Sequence, residues 1–167
     1  MKNKKQLNLT MILSAIYFCI LIWIILFKMN LSFSEIDNNR SINIIPFSGS
    51  VIVNGKIYIS EIINNILVFV PVGIYTCMLK QDWSFTKKTS VAFLISLSVE
   101  VLQFIFAIGA TDITDLIGNT LGGVIGIGIY SISSKVFKSK TVSIFNTLAF
   151  IATVGLVCLL YILLLLN

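Results

Sequence analysis

The sequence predicts an all-α membrane protein: a polytopic bundle of five transmembrane helices with a small outer-face loop or β-hairpin, formed by residues 1–167 as a single domain. Three observations lead there. The 167 residues are 57% hydrophobic and only 11% charged, whereas a soluble domain carries about a quarter charged residues. The mean hydropathy is +0.99, which also excludes a disordered chain. The apolar residues fall in continuous runs near the roughly 20 residues that a helix needs to cross a bilayer, and they do not alternate as barrel strands do.

The first run is Leu9 to Phe27, preceded by Lys2, Lys4 and Lys5. It is long enough to span, ends at Lys28 and has no small-x-small cleavage site, so an uncleaved helix is expected. The one long connection follows, from Lys28 to Glu61. Within it, Asn54-Gly55 lies between Val51-Ile52-Val53 and Lys56-Ile57-Tyr58, a strong hairpin signal because a type I′ turn needs positive φ twice. The second run is Ile62 to Leu79, with a kink expected at Pro71. The third is Ser90 to Ile108, the fourth Ile113 to Ile132, and the fifth Val142 to Leu166.

Five spans put the termini on opposite sides. One set of loops holds nine basic residues (Lys2, Lys4, Lys5, Lys80, Lys87, Lys88, Lys135, Lys138, Lys140) and the other three (Lys28, Arg40, Lys56). The positive-inside rule then places the N-terminus in the cytoplasm and the C-terminus outside. The net charge of +5 is thus a topology signal rather than a nucleic-acid footprint, and no basic stripe with interleaved aromatics is present. Histidine is absent, which removes the usual zinc ligand and neutral-pH base. Cys19, Cys77 and Cys158 lie inside apolar runs and show no metal or disulfide spacing.

Polar groups inside spans are costly and need partners or a wet cavity. The second helix opens with Glu61, Asn64 and Asn65; the third carries Glu100 and Gln103 on one face. The fourth opens with Asp112, Asp115 and Asn119, within about 60° of one another on a helical wheel. By the expected orientation all of these lie in the outer half of the bilayer, with Glu100 deepest, roughly 12 Å down. The inner half of the same helices is apolar. A polar pocket open to the outside and closed below follows. Three carboxylates close together repel unless protonated, cation-bound or matched by a ligand, so Glu100, Asp112 and Asp115 are the candidates for a divalent-cation site; no other cofactor is expected. Gly118, Gly122 and Gly126 form a small-xxx-small ladder, for close packing within the bundle or for a homodimer.

Three blocks carry a family resemblance. The outer loop has Asn43-Ile44-Ile45-Pro46-Phe47. The second helix has Asn64-Asn65-Ile66-Leu67-Val68-Phe69-Val70-Pro71-Val72-Gly73. The third and fourth have Glu100-Val101-Leu102-Gln103, then Asp112-Ile113-Thr114-Asp115, with Asn119 and Gly122 following. In this order they resemble the N-x-x-P-F, N-(L/I)-x-x-F-x-P-x-G and E-x-x-Q…D-x-x-D-x-x-x-N-x-x-G blocks of the VanZ-like membrane proteins, over roughly residues 43–130. The resemblance implies a multi-pass protein of the bacterial cytoplasmic membrane that acts in resistance to teicoplanin, a lipid-tailed glycopeptide, or in the cell envelope. The implied partners are the bilayer and a glycopeptide or lipid-linked wall precursor. One departure stands out. The family often has Gly-Arg before the first aspartate, and this chain has Gly109-Ala110-Thr111. Without that arginine the pocket is acidic, with Arg40 and Lys56 the nearby outer cations.

An enzyme is the alternative: Glu100 as a base and Asp112 with Asp115 on a divalent cation, acting on a lipid-linked envelope substrate. Against it, histidine is missing and no serine nucleophile motif is present. A lone transporter is disfavoured by the small size and the lack of inverted repeats.

Overall fold

The computed structural model describes residues 4–27, 42–46, 52–53, 56–57, 59–106 and 111–166. Five α-helices dominate: α1 (Lys4–Phe27), α2 (Ile59–Leu79), α3 (Phe85–Phe106), α4 (Ile113–Phe137) and α5 (Thr141–Leu166). Four two-residue strands accompany them: β1 (Ile42–Asn43), β2 (Ile52–Val53), β3 (Lys56–Ile57) and β4 (Thr111–Asp112). Four helical stretches are long and apolar enough to cross a membrane, residues 4–25, 60–79, 85–106 and 113–159. The last takes in both α4 and α5, with a 3-10 turn at Lys138–Lys140 between them.

That turn reverses the chain. The Tyr130 and Phe145 rings lie 5.7 Å apart, whereas 15 residues of one continuous helix would separate them by roughly 22 Å. Thr141 closes the turn: it is buried, and its hydroxyl donates to the Lys138 carbonyl at 2.9 Å.

The tightest seam joins α2 to α4. A Cβ on Gly122 would stand 2.2 Å from the Ile66 carbonyl oxygen, one on Gly126 2.0 Å from that of Val70, and one on Gly73 2.0 Å from that of Gly123. Only hydrogens fit there, so the two backbones touch. The partners advance in the same order along both helices, so α2 and α4 run parallel. The glycine ladder is therefore consumed inside the chain. A homodimer through Gly122 and Gly126 would first have to displace α2.

Helix α3 seats on α4 through Ala92, whose Cβ lies 2.4 Å from a Cβ built on Gly123. Its buried residues Ala92, Ser96, Val99, Glu100 and Gln103 form one stripe at helical spacing. Leu21, Phe69, Val72 and Ala92 make one apolar cluster, and Leu13, Tyr75 and Met78 a second. Helix α2 continues through Pro71 as one helix. The proline cannot donate to the Leu67 carbonyl and loosens that turn; the Tyr17 hydroxyl of α1 donates to the neighbouring Val68 carbonyl there. A polar clasp ties α1 to α5: Thr10 donates to Asn146 Oδ1 at 3.0 Å, and Asn146 donates to Gln6 Oε1 at 2.7 Å. Helix α5 otherwise exposes Phe150, Ile151, Val157, Leu159 and Ile162, as a helix facing lipid does.

Two short pairings complete the fold. Strand β2 pairs antiparallel with β3, Val53 opposite Lys56; the Asn54-Gly55 turn itself lies outside the described residues. Strand β1 pairs parallel with β4, matching Ile42 to Thr111 and Asn43 to Asp112.

Candidate functional site

The β1–β4 pairing brings two distant blocks of sequence together at the start of α4. Asp112 has extended backbone, φ −123° and ψ 126°, and caps the helix: its Oδ1 accepts the Thr114 N–H at 2.7 Å. Its other oxygen accepts from Asn43 Nδ2 at 3.0 Å. The Asn43 side-chain oxygen Oδ1 in turn accepts the Ile45 N–H at 3.2 Å, folding the segment after β1 into a turn. The helical-wheel expectation for Asp112 is thereby corrected. It stands one residue before α4 in extended backbone, where 100° per residue does not apply, and it works as a cap.

Glu100 reaches the same point from α3. It is buried, and its Oε2 accepts the Asp112 backbone N–H at 3.1 Å. The Thr111 hydroxyl donates to the Glu100 backbone carbonyl at 3.2 Å. Glu100 lies six residues before the end of α3 at Phe106, about 9 Å by helical rise. Asp115, in the first turn of α4, accepts from Asn65 Nδ2 of α2 at 2.6 Å. Asn119, a further turn along and fully buried, donates to Ser96 Oγ of α3 at 2.9 Å.

Asn43, Asp112 and Glu100 are thus linked through one residue, and Asn65–Asp115 and Asn119–Ser96 continue the polar line down α4. Gln103 shares the Glu100 face but turns to a different neighbour, donating to the Ile25 carbonyl of α1 at 2.9 Å. Asn64 and Pro46 are exposed. Phe47, Arg40, Gly109 and Ala110 lie outside the described residues. Among the described residues, no three acids or cysteines gather closely enough to hold a metal ion.

Two acceptors in the site are buried without a partner among the described residues: Gln103 Oε1 and Asn119 Oδ1. Buried amide oxygens normally carry a donor, from protein, water or ligand. Ser96, Thr111 and Thr114 belong to the site and were not anticipated. Ser96 had a signal: it lies four residues before Glu100, on the same face of an otherwise apolar span. Thr111 and Thr114 had none, since their roles arise from the β1–β4 pairing and the cap.

The residues of this constellation all fall within a segment that matches a known family. The VanZ/LLP1 family model matches residues 14–137. The chain belongs to the VanZ/LLP1 family. It is 38% identical over 130 residues to the protein named Protein VanZ from Enterococcus faecium, an alignment covering 77% of each chain. No solved structure matches. The matched segment starts within α1 and ends with α4, so in this VanZ/LLP1 member it contains every residue of the hydrogen-bonded line just described.

Proposed function

We propose that this VanZ/LLP1 member is a five-span protein of the bacterial cytoplasmic membrane whose carboxylate end faces outward and lowers susceptibility to teicoplanin without catalysing a reaction. The observation that carries the reading is the meeting of the family's blocks: Asn43, Asn65, Glu100, Asp112 and Asp115, spread over 72 positions of sequence, converge at one end of the bundle. The five-span count is supported by the reversal at Lys138–Lys140, because a 47-residue stretch as a single helix would measure about 70 Å against a core of about 30 Å. The orientation is supported by the described lysines of the helical ends and turns. Lys4, Lys5, Lys80, Lys87, Lys88, Lys135, Lys138 and Lys140 all belong to the end opposite the carboxylates.

The lipid tail of teicoplanin brings that drug to the membrane surface, where an outward polar site meets it. The carboxylates suit a cationic or hydrogen-bond-donating ligand, and the Asn119 and Gln103 oxygens are further acceptors. The enzyme alternative has no geometric support, since Asp112 is committed to its cap and to Asn43, and Asp115 to Asn65.

The test is expression in a susceptible Gram-positive host. Tolerance should rise for teicoplanin more than for vancomycin. Glu100→Gln and Asp115→Asn should each remove the gain at normal membrane abundance, since both keep an acceptor oxygen and lose the charge. Equal, null effects on the two drugs with confirmed expression would refute the resistance reading; full activity of both amide variants would refute the charged site.

A further inference from the structure

A polar chamber lies at the end opposite the carboxylates, which bears the lysines. Its volume is about 710 Å³, and its wall includes Gln6, Gln81, Lys138, Ser139, Lys140 and Ser143. Two cations and no acid line it. Met78 belongs to its wall and also to the wall of an apolar cleft of about 420 Å³ between α1, α2 and α5. The cleft is bounded by Tyr17, Pro71, Tyr75, Phe145, Ala152 and Leu156. Two of its three hydroxyls bond to backbone carbonyls, that of Tyr17 to Val68 and that of Thr153 to Ala149 at 2.8 Å; the third is that of Tyr75. The cleft therefore offers mainly hydrocarbon contact.

Its length identifies the kind of occupant. From Phe145 to Leu156 along α5 the helical rise is roughly 16 Å, close to the hydrocarbon depth of one leaflet, about 15 Å. The lysine chamber adjoins the cleft at the end where headgroups lie. Backbone geometry adds an independent sign. Lys138 has φ 48° and ψ −120°, the positive-φ non-glycine among the described residues. A glycine would adopt that conformation without steric cost, and strained residues of this kind gather at ligand clamps.

We propose that chamber and cleft together bind one anionic phospholipid of the adjoining leaflet, its phosphate between Lys138 and Lys140 and one acyl chain along the cleft. The proposal stands apart from the teicoplanin reading, because it concerns the other end of the bundle and needs no orientation. The cationic, acid-free lining selects an anionic headgroup, and the leaflet-length apolar wall selects a chain-bearing ligand over a soluble anion.

The test uses the purified full chain in detergent, with lipid retention read by native mass spectrometry at equal phosphatidylglycerol and phosphatidylcholine. One phosphatidylglycerol per chain should be retained in preference, and each lysine removed should weaken that preference about fivefold. Lys138→Gly combined with Lys140→Gln should lose the preference while the melting temperature holds or rises, since Lys138→Gly relieves the positive φ; misfolding then cannot explain the loss. Ala152→Leu should lower retention with both lysines intact. Equal retention of the two lipids, or an unchanged preference in the double variant, would overturn the proposal. So would glycerol 3-phosphate competing as well as phosphatidylglycerol, which would make the chamber a soluble-anion site.

Discussion

Alanine placed along the glycines of α2 and α4 should separate positions by nearly nothing but distance. At Gly122 the new methyl would lie 2.2 Å from the Ile66 oxygen and 2.9 Å from Phe69 Cβ; at Gly126 it would lie 2.0 Å from the Val70 oxygen. Favourable contacts between carbons begin near 3.5 Å, so each seam must open by more than about 1 Å there. The atoms in the way are backbone carbonyls, which cannot rotate aside, so whole helices must part. Overpacking of this kind costs about 1–3 kcal/mol, and a gap of 0.5–1 Å forfeits roughly a quarter to a half of the attraction along the interface. Alanine returns up to about 1 kcal/mol of helix propensity. The expected net loss is about 2 kcal/mol at Gly122 and at Gly126. Gly128 has nothing within 4 Å, and the nearest atom to a Cβ on Gly118 is Asn65 Cβ at 3.6 Å. Alanine at those two should be neutral or stabilising by up to about 1 kcal/mol. Reversible unfolding in mixed micelles, followed by circular dichroism, measures all four. Equal effects at Gly122 and Gly128 would refute the seam. Equal sensitivity at Gly118, Gly122 and Gly126 would favour a ladder used by a second copy.

Asp112→Ala removes a cap and the tie to Asn43 and should cost about 1–3 kcal/mol, whereas Asp112→Asn should cost less than half of that in the same unfolding assay. Asn146→Leu breaks the clasp to Thr10 and Gln6 and should destabilise by about 1 kcal/mol, the usual worth of an interhelical hydrogen bond in a membrane; a protein as stable as the parent would show the clasp to be idle. In a variant lacking the native cysteines, a cysteine at exposed Ser60 should react with an impermeant thiol reagent in intact cells, and one at exposed Ser84 should not; the opposite pattern would invert the orientation.

Hydropathy made the apolar helices legible because each run is long and nearly free of charge. What it could not supply was who sits beside whom. Gly118, Gly122 and Gly126 announced a close approach, but the partner was hidden: α2 offers a single Gly73, and a glycine two residues after Pro71 looks like part of a kink. The β1–β4 bridge had no sequence pattern, being two residues on each side and 69 positions apart at Asn43 and Asp112. The α1–α5 clasp was missed although it had a trace: Asn146 is a lone amide in an apolar run, and such a residue demands a partner. In the site, residue identities were legible and pairings were not. Glu100 and Gln103 share a face as their spacing requires, yet they hold different neighbours because α3 lies between β4 and α1.

The pairings answer the question that the group of carboxylates raised. Three carboxylates near one another called for a cation, a proton or a ligand. The fold supplies donors of its own. Glu100 receives a backbone N–H from Asp112, Asp112 receives one from Thr114 and an amide from Asn43, and Asp115 receives an amide from Asn65. Because the glycine seam holds α2 and α4 parallel, both helices begin at this end, and helix N-termini favour negative charge through their unpaired N–H groups and dipoles. The seam and the site are therefore one design: the close parallel packing aligns two helix starts beside the carboxylates and brings Asn65 level with Asp115. A change that opens the seam should disturb the site even though no seam glycine touches a carboxylate, whereas a change confined to a carboxylate should leave the seam closed.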